Sequence, residues 1–384
     1  MTRGMACSTL LLAIVCIAPW ARAIDVGTCE QFEAVDRRTE TEVTITAADF
    51  NCDTYTRLSI RTDMVLKSTV GKVTFTNLAL KVYGSLIIEP DVVFTGVSLV
   101  RSNGGALKLE LGAVGVFKGT ADFNGNSIIA TELSSTDDDS FRRFSQAGRK
   151  GGAVHNKGNL TFEKDATFVD NQNIGGGYGE GGALSVHVKG SVHFMGNLNV
   201  TVNSNLNDLD DGQDVDRLYN LGEGGGIYNL GDIVVDGEAL FLGNAGGQGG
   251  AIYQDRWATS VFNGFATFTE NQCTNTHGGA IANFGGEVTF EAGSLFFGNF
   301  AGNSAGGGYG GGIYNGDGGV VTLKGSTTFR QNIALWGAGI FSQEDPDSRN
   351  DGLLVYPEDA IFEGNVGEHC IDLAFDFDEN TCGL

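Results

Sequence analysis

Asp208, Asp210 and Asp214 stand at alternate positions around Gly212, a spacing at which carboxylates on a short loop can converge on a hard cation such as Ca²⁺. No Glu follows at the distance that closes an EF-hand loop, so a solvated acidic loop is the plainer reading. A second set is aromatic. Tyr228, Tyr253, Tyr314 and Phe341 recur at one place in a repeated phrase, and flat rings along a rigid face can stack on sugar rings. The competing expectation has them stacked on one another or covered by a loop. His155, His187, His193, His277 and His369 fall at different places in the repeat and spell no metal site. Cys273 has no histidine in register on a neighbouring repeat, which argues for a half-buried thiol rather than a nucleophile. Asn159 and Asn199 open Asn-x-Thr sequons, acceptors for glycan if the host glycosylates.

The elements that would position these residues are repeats. A glycine pair followed by a small and an aliphatic residue begins at Gly224, Gly249, Gly278 and Gly310, with a Gly-Ala-Gly-Ile variant at Gly337. Phe-x-x-Asn phrases begin between them, at Phe241, Phe268, Phe296 and Phe329, and once after the last, at Phe362. Aligned on the first Gly, the fourth position reads Leu107, Val154, Leu184, Ile227, Ile252, Ile281, Ile313 and Ile340. The fifth varies, through Lys108, His155, Ser185, Tyr228, Tyr253, Ala282, Tyr314 and Phe341. A constant apolar position beside a variable one is the period of a strand with one buried face. Extended segments broken by Gly and Asn at this repeat length predict an all-β fold, a right-handed parallel β-helix whose coils stack at about 4.8 Å. Its core is then columns of like residues. Asn126, Asn171, Asn197, Asn244, Asn271, Asn299, Asn332 and Asn365 are expected to form a ladder at one corner, and Asn156, Asn229, Asn283 and Asn315 to mark another.

Gly-Gly-Ala-Ile at Gly249 and Gly278, paired with Phe-x-x-Asn, resembles the repeat of chlamydial-type polymorphic outer-membrane proteins and, more broadly, the pectin-lyase-like β-helix superfamily. The resemblance covers about residues 104–365. It implies a passenger or adhesin-like surface β-helix with no shared catalytic site. No carboxy-terminal segment is long enough for the membrane barrel of the bacterial members, so anchoring by that route is not expected.

Residues 1–23 read as a secretory signal, with Arg3, an apolar run from Leu10 to Ile17 and the cleavage motif Ala21-Arg22-Ala23. Residues 24–100 read as an amino-terminal cap and about two irregular coils. Residues 101–366 are the repeats, with insertions near 127–150 and 200–222, and residues 367–384 form a cap or tail. In an oxidising compartment Cys29 with Cys52 and Cys370 with Cys382 would bridge the two ends, where a β-helix exposes core and strand edge. With 59 Gly, only 4 Pro and 41% hydrophobic residues, the chain of 384 can bury a long core. Losing Arg3 and Arg22 takes its net charge from −23 to −25, which repels nucleic acid and anionic membranes.

The expected function is that of a secreted, non-enzymatic surface or matrix protein engaged in adhesion or glycan binding. Its partner would be an extracellular or cell-wall polysaccharide or a surface protein. No organic cofactor is called for, and Ca²⁺ is the one ion considered. The alternative is a polysaccharide-active enzyme, a uronate lyase, hydrolase or epimerase. Such a site needs carboxylates at neighbouring outward positions and a basic residue beside them. The outward fifth positions carry no paired Asp, and the signatures of polygalacturonases or alginate epimerases are missing from the sequence.

Overall fold

The computed structural model describes residues 23–35, 41–100, 102–129, 149–174, 179–206, 222–302, 307–343, 352–375 and 382–383. Residues 1–22, the stretches 130–148 and 207–221 of the two insertions, and therefore Asp208, Asp210 and Asp214 lie outside the described residues. What is described is almost entirely strand, in sheets of 12, 21 and 7 strands. One coil shows the plan. Thr259–Phe262, Ala266–Thr269, Gln272–Cys273 and Ile281–Phe284 follow one another. Each pairs in parallel with its counterpart one coil on, Glu287–Phe290, Gly293–Phe297, Phe300–Ala301 and Ile313–Gly316. Residues 43–100 supply three strands to the twelve-stranded sheet, Glu42–Ile45, Met64–Ser68 and Ser85–Ile88, one coil more than the irregular pattern suggests.

The glycine phrase is a steric requirement. Gly249 has φ +61°, and a Cβ there would lie 2.1 Å from the Ile252 carbonyl oxygen. A Cβ on Gly250 would lie 2.2 Å from the carbonyl oxygen of Gly279 on the next coil. The carboxy-terminal coil repeats the corner without glycine. Cys370 takes the bend at φ +41°, and Leu373 pairs with Ile340 at the fourth position.

Inside, two columns of rings stand side by side. Phe241, Phe268, Phe296, Phe329 and Phe362 stack at 4.6 to 5.1 Å, nearly coplanar from coil to coil. The column of the Phe-x-x-Asn phrase meets a second one edge-on, as Phe262 meets Phe268 at 6.1 Å. That second column includes Phe117, Phe162 and Phe194 and resumes with Phe262 and Phe290. Beside the rings runs the asparagine ladder. The Oδ1 of Asn271 accepts from both the backbone N–H and the Nδ2 of Asn244, while its own Nδ2 donates to the Phe241 carbonyl. At the carboxy-terminal end Asp372 accepts from Asn365 and closes the series.

One member of the expected ladder is wrong. Asn203, not Asn197, takes the place between Asn171 and Asn244. Val200 pairs with Phe168 and with Phe241, so the phrase in this coil is Val-Thr-Val-Asn. Phe194-Met-Gly-Asn197 matches by identity but belongs to the second ring column, and Asn197 is an exposed corner residue. The second asparagine set behaves as a corner. The Oδ1 atoms of Asn156, Asn229 and Asn283 accept from Gly158, Gly231 and Gly286.

At the amino-terminal end the helix Cys29–Ala34 carries Phe32 onto Phe50, and Cys29 is bridged to Cys52. Cys370 is disulfide-bonded, and Cys382 lies in a strand antiparallel to Leu373–Phe375, its side chain outside the described residues. Cys273 is free and fully buried, not half-buried. Burial pushes its thiol up to about 12, far from nucleophilic use.

The two faces of one strand make a direct test. Phe268→Ala should cost about 3 to 5 kcal/mol in denaturant unfolding. Thr267→Ala, on the half-exposed face, should stay within about 0.5 kcal/mol. Equal losses would mean that the ring column does not carry the core.

Candidate functional site

Each glycine phrase turns three residues outward together: the one before the first Gly, the fifth and the seventh. In the first column Lys150, Glu180, Glu223 and Gln248 are joined by parallel bridges, as are His277, Tyr309, Trp336 and His369 further on. The fifth positions pair in strict register, His155 with Ser185, Ser185 with Tyr228, and Tyr228 with Tyr253. The seventh column includes Glu110, Lys157, His187, Leu230, Asp255 and Phe284. The flanking columns are half-buried and the central one is buried from His155 onward.

The aromatic stripe is therefore not an exposed platform. Tyr228, Tyr253, Tyr314 and Phe341 are 5%, 8%, 3% and 0% exposed. They do point away from the main core, but the neighbouring columns close over them. Tyr228 stacks on Tyr253 and Tyr253 on Phe284, each at 5.3 Å. Phe284 continues to Tyr314 at 5.0 Å, filling the space that Ala282 leaves. His277 stands 4.3 Å from Tyr314, and Tyr309 covers Phe341 at 5.2 Å. The Tyr228 hydroxyl donates to Asp255 Oδ2 at 3.1 Å and that of Tyr314 to Gln343 Oε1 at 3.0 Å. Buried this way, both phenols are raised well above the ordinary range.

Chemistry changes along the face. At its amino-terminal part Lys81 and Lys108 reach Glu110 at 3.0 and 2.9 Å. Partial burial works against ionisation there, but hydrogen bonds from Lys108 and Lys81 hold the Glu110 carboxyl down to about 2. In the middle, Lys150 pairs with Glu180, whose other oxygen is 3.5 Å from Ser185 Oγ. Burial raises the Glu180 carboxyl in spite of that lysine. Glu223 follows in the same column without a lysine, and burial together with the Glu180 and Asp255 charges pushes it up to about 8. Towards the carboxy terminus the face is aromatic, and burial drives the His277 imidazole down to about 4.

Glu180 and Glu223 thus form the pair of neighbouring outward carboxylates that the fifth positions lack. Reading each phrase one residue upstream, where Lys150, Glu180, Glu223 and Gln248 align, would have exposed the column. Among the described residues no group of three or more His, Cys, Asp or Glu is placed to hold a metal ion. Asn159 is exposed and Asn199 half-exposed, so both sequons lie at the surface. Elsewhere on the outer surface Asn197, Asn199, Leu240, Phe265 and Thr267 line a shallow groove of about 420 Å³, with Leu240 36% and Phe265 40% exposed.

The fold defines the chain as an all-β protein of parallel stacked coils. No family model, curated protein or solved structure matches it.

Two consequences can be measured. Tyr253→Ala should destabilise by about 3 to 5 kcal/mol, as for a buried ring, where an exposed ring would cost little. The folded Glu223 keeps its proton to about 8, above the ordinary 4.5, so the folded state binds the extra proton between those values. Stability then falls as pH rises through that window, and Glu180 acts in the same direction. Melting curves from pH 5 to 9 should show a shallower fall for Glu223→Gln than for the parent chain. Identical slopes would remove Glu223 from the account.

Proposed function

We propose that the protein is a secreted, non-enzymatic surface or matrix protein that binds an extracellular or cell-wall polysaccharide, or a surface protein, along its outer faces. The observation that carries this reading is the groove at Leu240 and Phe265. A half-exposed ring and an aliphatic side chain lie there beside Asn197, Asn199, Glu238 and Thr267, where one corner meets three neighbouring parallel strands, Leu198–Thr201, Ala239–Leu242 and Ala266–Thr269. An apolar floor with a few polar groups is the composition that takes a sugar ring, and the buried tyrosines cannot supply it. Secretion is supported by the signal-like segment 1–23 and by the Cys29–Cys52 bridge, which suits an oxidising compartment. Binding on a glycan array with and without Ca²⁺ would identify the ligand and any share of the acidic loop that holds Asp208, Asp210 and Asp214. The double substitution Leu240→Ala and Phe265→Ala should cut retention on that glycan at least about tenfold through loss of contacts along one chain. Stability should change by only about 0.5 kcal/mol per site. Undiminished retention would exclude the groove.

A polysaccharide-active enzyme is the second reading, and one observation favours it. Glu223 keeps its proton to about 8 beside Glu180, as a general acid at neutral pH must. Release of new reducing ends from acidic or neutral polysaccharides, lost in Glu223→Gln, would establish it over the first.

A further inference from the structure

Near the amino-terminal part of the three-column face the fold buries an imidazole with nothing to bond. His155 is 0% exposed, and neither Nδ1 nor Nε2 has a hydrogen-bond partner among the described residues. Nδ1 of His187, on the next coil, is in the same condition. Buried polar atoms are so regularly paired that two orphaned nitrogens on one ring point to a missing partner. The charged groups that face the ring define what that partner is. Lys108 comes from the coil before, Lys150 and Lys157 from its own and His187 from the coil after, while Glu110 and Glu180 pair with those lysines. Counting Lys81, four lysines share two carboxylates. Glu110 takes Lys81, Lys108 and Lys157 at 3.0, 2.9 and 3.8 Å, and Glu180 takes Lys150. This is a local surplus of positive charge on a chain whose net charge is −23.

We propose that His155, with Lys108, Lys150 and Lys157, forms a binding site for an oxyanion, a sulfate or carboxylate group. In the free protein the ring is neutral, because burial and the surrounding ammonium groups disfavour its charge. An entering oxyanion offsets those ammonium groups, so the ring takes one proton from solvent and both nitrogens become donors to the anion's oxygens. The lysines that act on the ring are themselves partly exposed. Lys108, Lys150 and Lys157 are 14%, 24% and 28% exposed, and long stems of this kind move their charged heads without disturbing the backbone. The site goes beyond the scaffold reading and does not rest on it.

Calorimetric titration of the full secreted chain with sodium sulfate, and separately sodium acetate, at constant ionic strength tests the proposal. Uptake of one proton per anion requires affinity to rise about tenfold for each unit the pH falls between about 8 and 6. Lysines alone give no such slope there, since they stay charged throughout. The slope should fall by about one proton in His155→Gln, leaving only what Glu180 and Glu223 contribute, and keep its full value in His187→Gln, and Lys157→Gln should weaken binding at every pH. If His155→Gln does not fold, the His155 ring in the parent chain can be followed by nitrogen NMR. Sulfate should then raise its titration midpoint by at least about two units, the width of that pH window. No saturable binding, a slope undiminished in His155→Gln, or a midpoint that sulfate leaves unmoved overturns the site. Comparing free sulfate with a sulfated tetrasaccharide separates a free anion from a polymer-borne group. Because the probe is the free ion, failure to find a glycan for the groove leaves this result untouched.

Discussion

Between the two ends, strands take their hydrogen bonds from the coil before and the coil after, and that parallel register is the constraint on which everything else depends. It obliges residues at equivalent positions to lie one above another, so whatever is chosen at a position is chosen as a column. Rings stack on rings from Phe241 to Phe362, and the column takes Val200 between Phe168 and Phe241. The asparagine ladder is the polar counterpart. A buried amide is costly alone, but each one here is satisfied by the next, so the ladder holds the register that creates it.

The same register builds the outer face. Because the first glycine of each phrase bends sharply, the residue before it is brought beside the fifth, and the seventh closes from the other side. A column facing away from the core is thereby buried a second time, in a seam outside the main core. Burial outside the core has chemical consequences that core burial does not, since charged residues flank the seam. Glu180 and Glu223 stand in one column at the spacing of adjacent coils, where burial raises both and the Glu180 charge adds to the rise of Glu223, while Lys150 is paired with Glu180. Titration behaviour along the face follows from which residue each coil contributes, with the backbone unchanged.

The two ends are finished differently. The amino-terminal end is sealed by a capped helix whose Phe32 continues the ring column onto Phe50, and a disulfide fixes it. At the other end the Leu353–Val355 and Ile361–Glu363 strands keep exposed apolar residues, among them Leu353 and Ile361. Cys370 bends there at positive φ without glycine, and Asp372 replaces the next asparagine.

The repeat, its strand character and the inward Ile and Phe columns were legible in the chain because periodic burial leaves periodic residues. The Cys29–Cys52 bridge could be inferred for a related reason, that an open end needs closing. What the sequence left undecided were matters of register and cover. Phe194-Met-Gly-Asn197 carries the motif and Val200-Thr-Val-Asn203 does not, yet pairing with Phe168 and Phe241 selects the second, because the peptide ladder reads position rather than identity. Tyr228, Tyr253, Tyr314 and Phe341 were readable as outward but not as covered, since the covering residues lie in other columns and on other coils. For the same reason Glu223 looks like any surface carboxylate in the chain. Its proton is held by burial and then by the charges of Glu180 and Asp255, surroundings that exist only when the coils stack.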